Sequence, residues 1–192
     1  MAINNFIGEY QIKDTSVCDK LITYFKNNIS RASKGGFMIN GELEVDETNK
    51  ESVDLGIDNL NDIDYYFKSF NQDCLDKYKN KYEFSNRTGR YAIKEVPNIQ
   101  YYKPGGGYHA EHTETMSYAE GHRLFVFMTY LTDTKDGGTE WTYLNWKSPC
   151  KKGLTLLWPS NYPYSHKGII SNSEEKMIIT GWFGFDKEYK DK

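Results

Sequence analysis

The sequence has few of the residues that cross-link a small protein or anchor it in a membrane. Its three cysteines, Cys18, Cys74 and Cys150, are far apart and form no C-x-x-C pair, so we expect neither a disulfide framework nor a cysteine zinc site. No apolar run approaches a membrane span, and the N-terminus has no basic-then-apolar leader pattern. The net charge is −3 without a basic stripe, which argues against a nucleic-acid surface. We therefore expect a cytoplasmic protein that binds neither nucleic acid nor membrane.

Aromatic residues, in contrast, are abundant. They make up 16% of the 192 residues, with 16 tyrosines and 10 phenylalanines, so much of the core should be aromatic packing with hydroxyl groups at its margins. The length predicts a single domain over residues 1–192. We expect residues 1–90 to form a helical N-terminal support and residues 91–186 to form a β-rich core.

Hydrophobic periodicity predicts two helices followed by many strands. The helices are Ser16–Asn28 and Asn59–Glu83, separated by loops and one short strand near Glu42–Val45. After Tyr91 the apolar runs become short and turn-bounded, and they predict eight strands: Tyr91–Val96, Ile99–Tyr102, Tyr108–Glu114, Leu124–Leu131, Thr139–Tyr143, Leu154–Trp158, Ser165–Ile170 and Lys176–Phe185. This order indicates an α+β, mainly β, protein with a double-sheet barrel or jelly roll and the N-terminal helices packed on one sheet.

The segment His112-x-Glu114 has the pattern of a metal-binding strand. Side chains two residues apart in an extended chain lie on the same face, so the imidazole and the carboxylate can reach one ion. A third ligand has to come from elsewhere, and His166 lies downstream, ten residues before Lys176 in an apolar run. Two histidines, one carboxylate and a nearby cation are the groups that a non-heme iron oxygenase uses.

The wider pattern resembles the iron(II)- and 2-oxoglutarate-dependent dioxygenases, with the prolyl 4-hydroxylase-like branch as the best match. It consists of Tyr102-x-x-Gly105-x-x-Tyr108, His112-x-Glu114, Asp136-Gly137-Gly138-Thr139-Glu140, His166, Lys176 and Gly181-Trp182. The resemblance covers about half of the chain and implies a double-stranded β-helix.

The resemblance also implies a role for each marked residue. His112, Glu114 and His166 would bind Fe(II). Lys176 and Tyr102 would contact the distal carboxylate of 2-oxoglutarate, and Thr139 would make a further contact to this co-substrate. Arg123 and Trp182 fall where the family lines its substrate side, as candidate catalytic residues.

Two features depart from the family pattern. The metal carboxylate is Glu rather than the more common Asp, and Tyr108 lies four residues before His112 instead of three. A competing pair, His109-x-Glu111, faces the other side of a regular strand. We favour His112 and Glu114, because the glycines at 105–107 can absorb a shift of one residue.

The implied activity is hydroxylation of a substrate C–H bond with Fe(II), 2-oxoglutarate and O2, giving succinate and CO2. The branch implies a prolyl residue in a peptide or protein as the substrate. Loops Thr115–Gly121 and Ser160–Tyr164, with Tyr118, Tyr162 and Tyr164, are candidates for an aromatic wall around an extended Pro-containing chain. A free amino acid, another small molecule and a non-catalytic cupin-like metal-binding module stay open as alternatives, and ascorbate is a further candidate cofactor.

Overall fold

The structure is a computed structural model that describes residues 6–39 and 42–186. Its α-helices are α1 (Ser16–Asn27), α2 (Asp64–Phe70) and α3 (Asp76–Lys81). The strands in this part of the chain are β1 (Gly8–Gln11), β2 (Ser33–Lys34), β3 (Phe37–Ile39), β4 (Glu42–Glu44), β5 (Val53–Gly56), β6 (Tyr91–Ile93), β7 (Asn98–Tyr102), β8 (Arg123–Tyr130), β9 (Thr134–Trp141), β10 (Trp146–Cys150), β11 (Leu154–Pro159), β12 (His166–Ile169) and β13 (Lys176–Phe185).

The strands form two antiparallel sheets and a separate hairpin. The large sheet has the order β1-β11-β8-β13-β7-β5-β2, with β6 also paired to β13, and the small sheet has the order β10-β9-β12. Strands β3 and β4 pair with each other. The predicted jelly-roll class with N-terminal helices on one sheet is confirmed. No helix in the described ranges combines the length and the apolar character that crossing a membrane requires.

Alternation along β8 and β13 divides the core into two layers. Phe125 and Phe127 of β8 belong to the cluster formed with the helices, whereas Val126, Met128 and Tyr130 belong to the cluster between the two sheets. Strand β13 alternates in the same way, and its inward positions include Lys176, Ile178 and Trp182. Period-two side-chain direction therefore places polar residues of β13 inside the barrel.

The helices cover the outer face of the large sheet. Helix α1 ends one residue earlier than predicted and buries Val17, Leu21 and Phe25. The predicted second helix is interrupted, because a π-turn at Asn71–Leu75 separates α2 from α3. This turn carries Asp73 inward, where its carboxylate accepts a hydrogen bond from the backbone N–H of Lys13 at 2.9 Å.

Two strand predictions differ from the structure. The segment predicted as the strand Tyr108–Glu114 forms only isolated bridges, Lys50 with Tyr108 and His112 with His166. The predicted strand Thr139–Tyr143 is found as β9, Thr134–Trp141, which also contains the Gly-Gly pair, and Gly138 has a φ of 126°. A Cβ at Gly138 would lie 2.2 Å from the carbonyl oxygen of Ser148, so glycine permits the close approach of β10 beside Thr139.

Candidate active site

The candidate ligands meet between the two sheets. The backbones of His112 and His166 exchange hydrogen bonds, with His112 N donating to His166 O at 3.0 Å and His166 N donating to His112 O at 2.8 Å. This pairing brings both imidazoles to the carboxylate of Glu114, and one potential ligand atom from each residue lies within 4.8 Å of the others. The competing pair is not in this group, since the Glu111 carboxylate instead accepts a hydrogen bond from Ser165 Oγ at 2.6 Å.

Hydrogen bonds set the tautomers of both imidazoles. Nδ1 of His112 lies 3.0 Å from the carbonyl oxygen of Ala110, and Nδ1 of His166 lies 2.9 Å from that of Tyr164. A carbonyl oxygen can only accept, so each Nδ1 carries a proton, and the lone pair of the ring in its neutral form is on Nε2. These Nε2 atoms lie 3.9 Å and 3.4 Å from Oε1 of Glu114.

The charge states agree with a cation site. Burial, followed by the neighbouring His166, lowers the pKa of His112 to about 3, so this ring is neutral at neutral pH. Burial would raise the pKa of Glu114, but nearby positive charge lowers it, and the Arg123 guanidinium is the partner that keeps its charge when the imidazoles are neutral. Two lone pairs and a carboxylate therefore converge in a buried place, and this donor set fits Fe(II).

Glu114 is held by residues on two strands of the large sheet. The indole N–H of Trp182 donates to Glu114 Oε2 at 2.8 Å, and Arg123 Nη1 donates to the Glu114 carbonyl oxygen at 2.7 Å. The Arg123 guanidinium also lies 4.3 Å from the centroid of the Trp182 ring and makes a two-point contact with the carboxylate of Glu95. The two predicted substrate-side residues therefore line the cavity and orient a candidate metal ligand at the same time.

A second polar group lies deeper in the same cavity. Lys176 is buried, and its Nζ donates to the carbonyl oxygen of Ile169 at 3.1 Å. No carboxylate in the described part of the chain forms an ion pair with this ammonium group, and burial lowers its pKa to about 8. An unpaired buried cation is costly, so the pocket is suited to an anionic ligand.

A tyrosine ring lies beside this lysine, and further hydroxyl groups line the same cavity. Tyr102 lies opposite Lys176 in the register of β7 and β13, and the Lys176 Nζ is 5.0 Å from the centroid of its ring. The Tyr102 hydroxyl donates to Gln100 Oε1 at 2.5 Å, and the Thr139 hydroxyl lies 2.8 Å from that of Tyr130.

Two of these residues, Gln100 and Tyr130, were not predicted as part of the site. Tyr130 could have been found, because it has the same parity as the inward Val126 and Met128 of β8.

All of these groups line one cavity of about 500 Å³. The metal group lies on the cavity wall together with the inward residues of β13 and with residues of the N-terminal half. The loop residues Met116, Tyr118 and Tyr162 are exposed, and Met116 itself lines the cavity. The arrangement can hold a divalent metal and a small anion next to an open surface.

Comparison with known proteins agrees with this chemistry. Residues 97–184, which contain all three candidate ligands and Lys176, match the family model of the 2OG-Fe(II) oxygenase superfamily. No curated protein sequence matches the chain.

Many solved structures are similar to this chain, and three of them illustrate the match over almost its whole length. The viral collagen prolyl hydroxylase of Paramecium Bursaria Chlorella virus-1, in its 2OG complex, has 18% identity and a TM-score of 0.64, with 95% of this chain and 98% of that chain covered. A Pseudomonas putida prolyl-4-hydroxylase has 15% identity and a TM-score of 0.67, with 95% and 94% covered.

The third structure is a Trichoplax adhaerens prolyl hydroxylase in complex with a hypoxia inducible factor oxygen degradation domain peptide fragment. It has 16% identity and a TM-score of 0.68, with 96% of this chain and 86% of that chain covered. At these identities the similarity shows the fold, and the matched family implies Fe(II) and 2-oxoglutarate. Residues 97–184 thus match a 2-oxoglutarate-dependent dioxygenase domain, and the chain has the fold of the solved prolyl hydroxylases.

Proposed function

We propose that this enzyme hydroxylates a prolyl residue in a peptide or protein and converts 2-oxoglutarate and O2 into succinate and CO2. The observation that carries the proposal is the content of one cavity, which has three converging electron-pair donors and a buried ammonium without a carboxylate partner among the described residues. A metal and a dicarboxylate would neutralise these two groups together.

His112, Glu114 and His166 would hold the metal. Their hydrogen bonds fix the Nε2 atoms toward the carboxylate before any ion binds, which reduces the cost of assembling the site. With Fe(II) bound, the centre would supply oxidative decarboxylation of 2-oxoglutarate coupled to hydroxylation of the substrate. Three protein ligands leave coordination positions for co-substrate and O2.

Lys176, Tyr102 and Thr139 would bind 2-oxoglutarate. Lys176 can pair with the distal carboxylate, because its Nζ has donors left after the single bond to Ile169. Tyr102 closes the pocket beside this ammonium, and Thr139 is held by Tyr130 on the facing strand. These side chains keep the acid end of the co-substrate away from water.

Arg123 and Trp182 would act on the substrate side and on the metal carboxylate. Both line the cavity, and both donate hydrogen bonds to Glu114. Because Glu has one more methylene than Asp, its carboxylate has more rotamers to restrain, and Trp182 restrains it at Oε2.

An extended peptide is the substrate class that we favour. The solved relatives are prolyl hydroxylases by name, and one of them is in complex with a peptide fragment. Exposed Met116 offers apolar surface at the cavity, which suits an extended Pro-containing chain.

The test is a set of Pro-containing peptides incubated with enzyme, Fe(II) and 2-oxoglutarate, with and without ascorbate. We expect succinate formation to rise with peptide and one proline to gain one oxygen atom by mass spectrometry. Matched peptides with Ala in place of Pro should not react. If a free amino acid but no peptide increased succinate formation, the proposed substrate class would be wrong. The assignment as an oxygenase would still hold.

A further inference from the structure

A second buried lysine, Lys50, lies on the cavity wall but outside the segment that matches the family. It is 4% exposed, and its Nζ donates to Asp54 Oδ2 at 2.7 Å and to the carbonyl oxygen of Gly36 at 3.1 Å. A buried ion pair of this kind adds little net stability compared with apolar residues of similar volume. Stability alone therefore does not account for a lysine at this position, which lies beside the metal group.

The Lys50 ammonium lies over the ring of Tyr108, 5.4 Å from its centroid. The same ring stacks on the imidazole of His112, with a centroid separation of 3.6 Å and an interplanar angle of 12°. Cation–π and stacking contacts thus connect a residue of the N-terminal half to a candidate metal ligand.

The backbone supports the same connection. Lys50 and Tyr108 form an antiparallel bridge, Glu51 N donates to Gly107 O at 2.8 Å, and His109 N donates to Asn49 O at 2.8 Å. The run that leads into His112 forms no regular strand, so this short pairing is its main backbone attachment on that side. The N-terminal segment at 49–51 therefore positions the approach to the metal group.

Tyr108 adds a contact that the hydrogen bond of His112 does not supply. The Nδ1 hydrogen bond to Ala110 holds the edge of the imidazole, and the Tyr108 ring packs on its face. The Lys50 ammonium in turn favours this position of the Tyr108 ring through the cation–π contact.

We propose that Lys50 is a positioning residue for the metal ligand His112 and acts through the ring of Tyr108. This inference rests on the proposed metal role of His112. It assigns a task in the metal site to the N-terminal half of the chain.

Cobalt(II) binding to the metal-free protein tests the proposal, because its visible absorption reports ligand geometry without turnover. The matched pair consists of the single variant Asp54→Asn and the double variant Lys50→Met/Asp54→Asn. The single variant keeps the Lys50 ammonium. The double variant removes both charges, so that no unpaired charge stays buried. Relative to Asp54→Asn, the double variant should bind Co(II) about three- to thirtyfold more weakly and with a changed visible spectrum. Asp54→Asn should bind like the wild type, and so should Lys50→Arg, since both keep a cation near the ring.

The same pair is then compared in Tyr108→Leu and Tyr108→Phe backgrounds. The effect of Lys50 should vanish with leucine, which has no ring, and should persist with phenylalanine. Equal Co(II) affinity for the two members of the matched pair would overturn the proposal. So would a loss of Co(II) affinity in the Tyr108→Leu background as large as the loss with Tyr108 present. Failure of the wild-type protein itself to bind Co(II) would instead refute the metal site, so the two failures are distinguishable.

Discussion

Replacing Lys176 by methionine should make the ligand-free protein more stable while weakening its binding of 2-oxoglutarate. Methionine has a similar length and no charge, so it fits the same buried position on β13. In the fold, the pKa of Lys176 falls from 10.5 to about 8 because burial disfavours the charged form. Below pH 8 the protein carries this penalty in full, and the penalty is relieved as the pH rises from about 8 towards 10.5.

The magnitude follows from that pKa. The fall of the Lys176 pKa from 10.5 to about 8 lowers the free energy of unfolding by about 3 kcal/mol at neutral pH. Loss of the hydrogen bond from Lys176 to the Ile169 carbonyl returns about 1 kcal/mol, so the net gain in the free energy of unfolding should be about 2 kcal/mol. At the same time, loss of a charge-assisted contact should weaken 2-oxoglutarate roughly ten- to a hundredfold.

Urea denaturation of the metal-free protein without 2-oxoglutarate measures the first effect, and titration of the Mn(II)-loaded protein measures the second. Lys50→Met is the matched control, since it removes a lysine of similar burial that is paired with Asp54, and it should destabilise the protein. Saturating 2-oxoglutarate and Mn(II) should narrow or reverse the difference in stability between the wild type and Lys176→Met, because the wild type binds 2-oxoglutarate more tightly and gains more binding energy. A Lys176→Met protein that is less stable than the wild type without ligands would mean that Lys176 is satisfied within the fold, and the argument for an anion pocket would fail.

Three further predictions concern the metal and the co-substrate. His166→Ala should abolish Co(II) binding, whereas Glu111→Ala should retain it; the reverse result, by calorimetry, would show that the alternative register binds the metal. Trp182→Phe keeps an aromatic ring but loses the hydrogen bond to Glu114, so metal affinity should fall about tenfold in the same assay, and unchanged affinity would remove its positioning role. Raising the pH from about 7 to about 9 deprotonates Lys176 and should weaken 2-oxoglutarate about tenfold in the wild type, and a flat profile would argue against the ammonium as its partner.

Local sequence patterns predicted the parts of the fold that depend on local physics. The alternation of β8 and the apolar stripe of α1 follow from burial on one face, and the bounds of β13 agree with the predicted Lys176–Phe185. Strands β2, β5 and β10 were not predicted, because short, polar or glycine-bearing segments show no clear period. The run at 108–114 was predicted as a strand on its alternation, but single bridges rather than a ladder hold it.

The contacts around the site were less predictable than its residue types. Pairing of Lys50 with Tyr108, and of Glu95 with Arg123, joins segments that are far apart in the sequence, and no periodicity encodes such contacts. The π-turn at Asn71–Leu75 that interrupts the second predicted helix could not be predicted either, because helix propensity does not distinguish a π-turn from a regular helical turn. Which ligand register faces the cavity likewise depends on the non-local bridge to His166.

Anaerobic titration with Fe(II) and 2-oxoglutarate tests the central claim most directly, namely that one cavity holds metal and co-substrate side by side. Wild-type protein should develop a weak visible absorption band only when both are present. His166→Ala should show no band with either addition, and Lys176→Met should require roughly ten- to a hundredfold more 2-oxoglutarate to reach it. Absence of the band from the wild type at saturating concentrations, or a band in Lys176→Met at wild-type concentrations, would contradict the account.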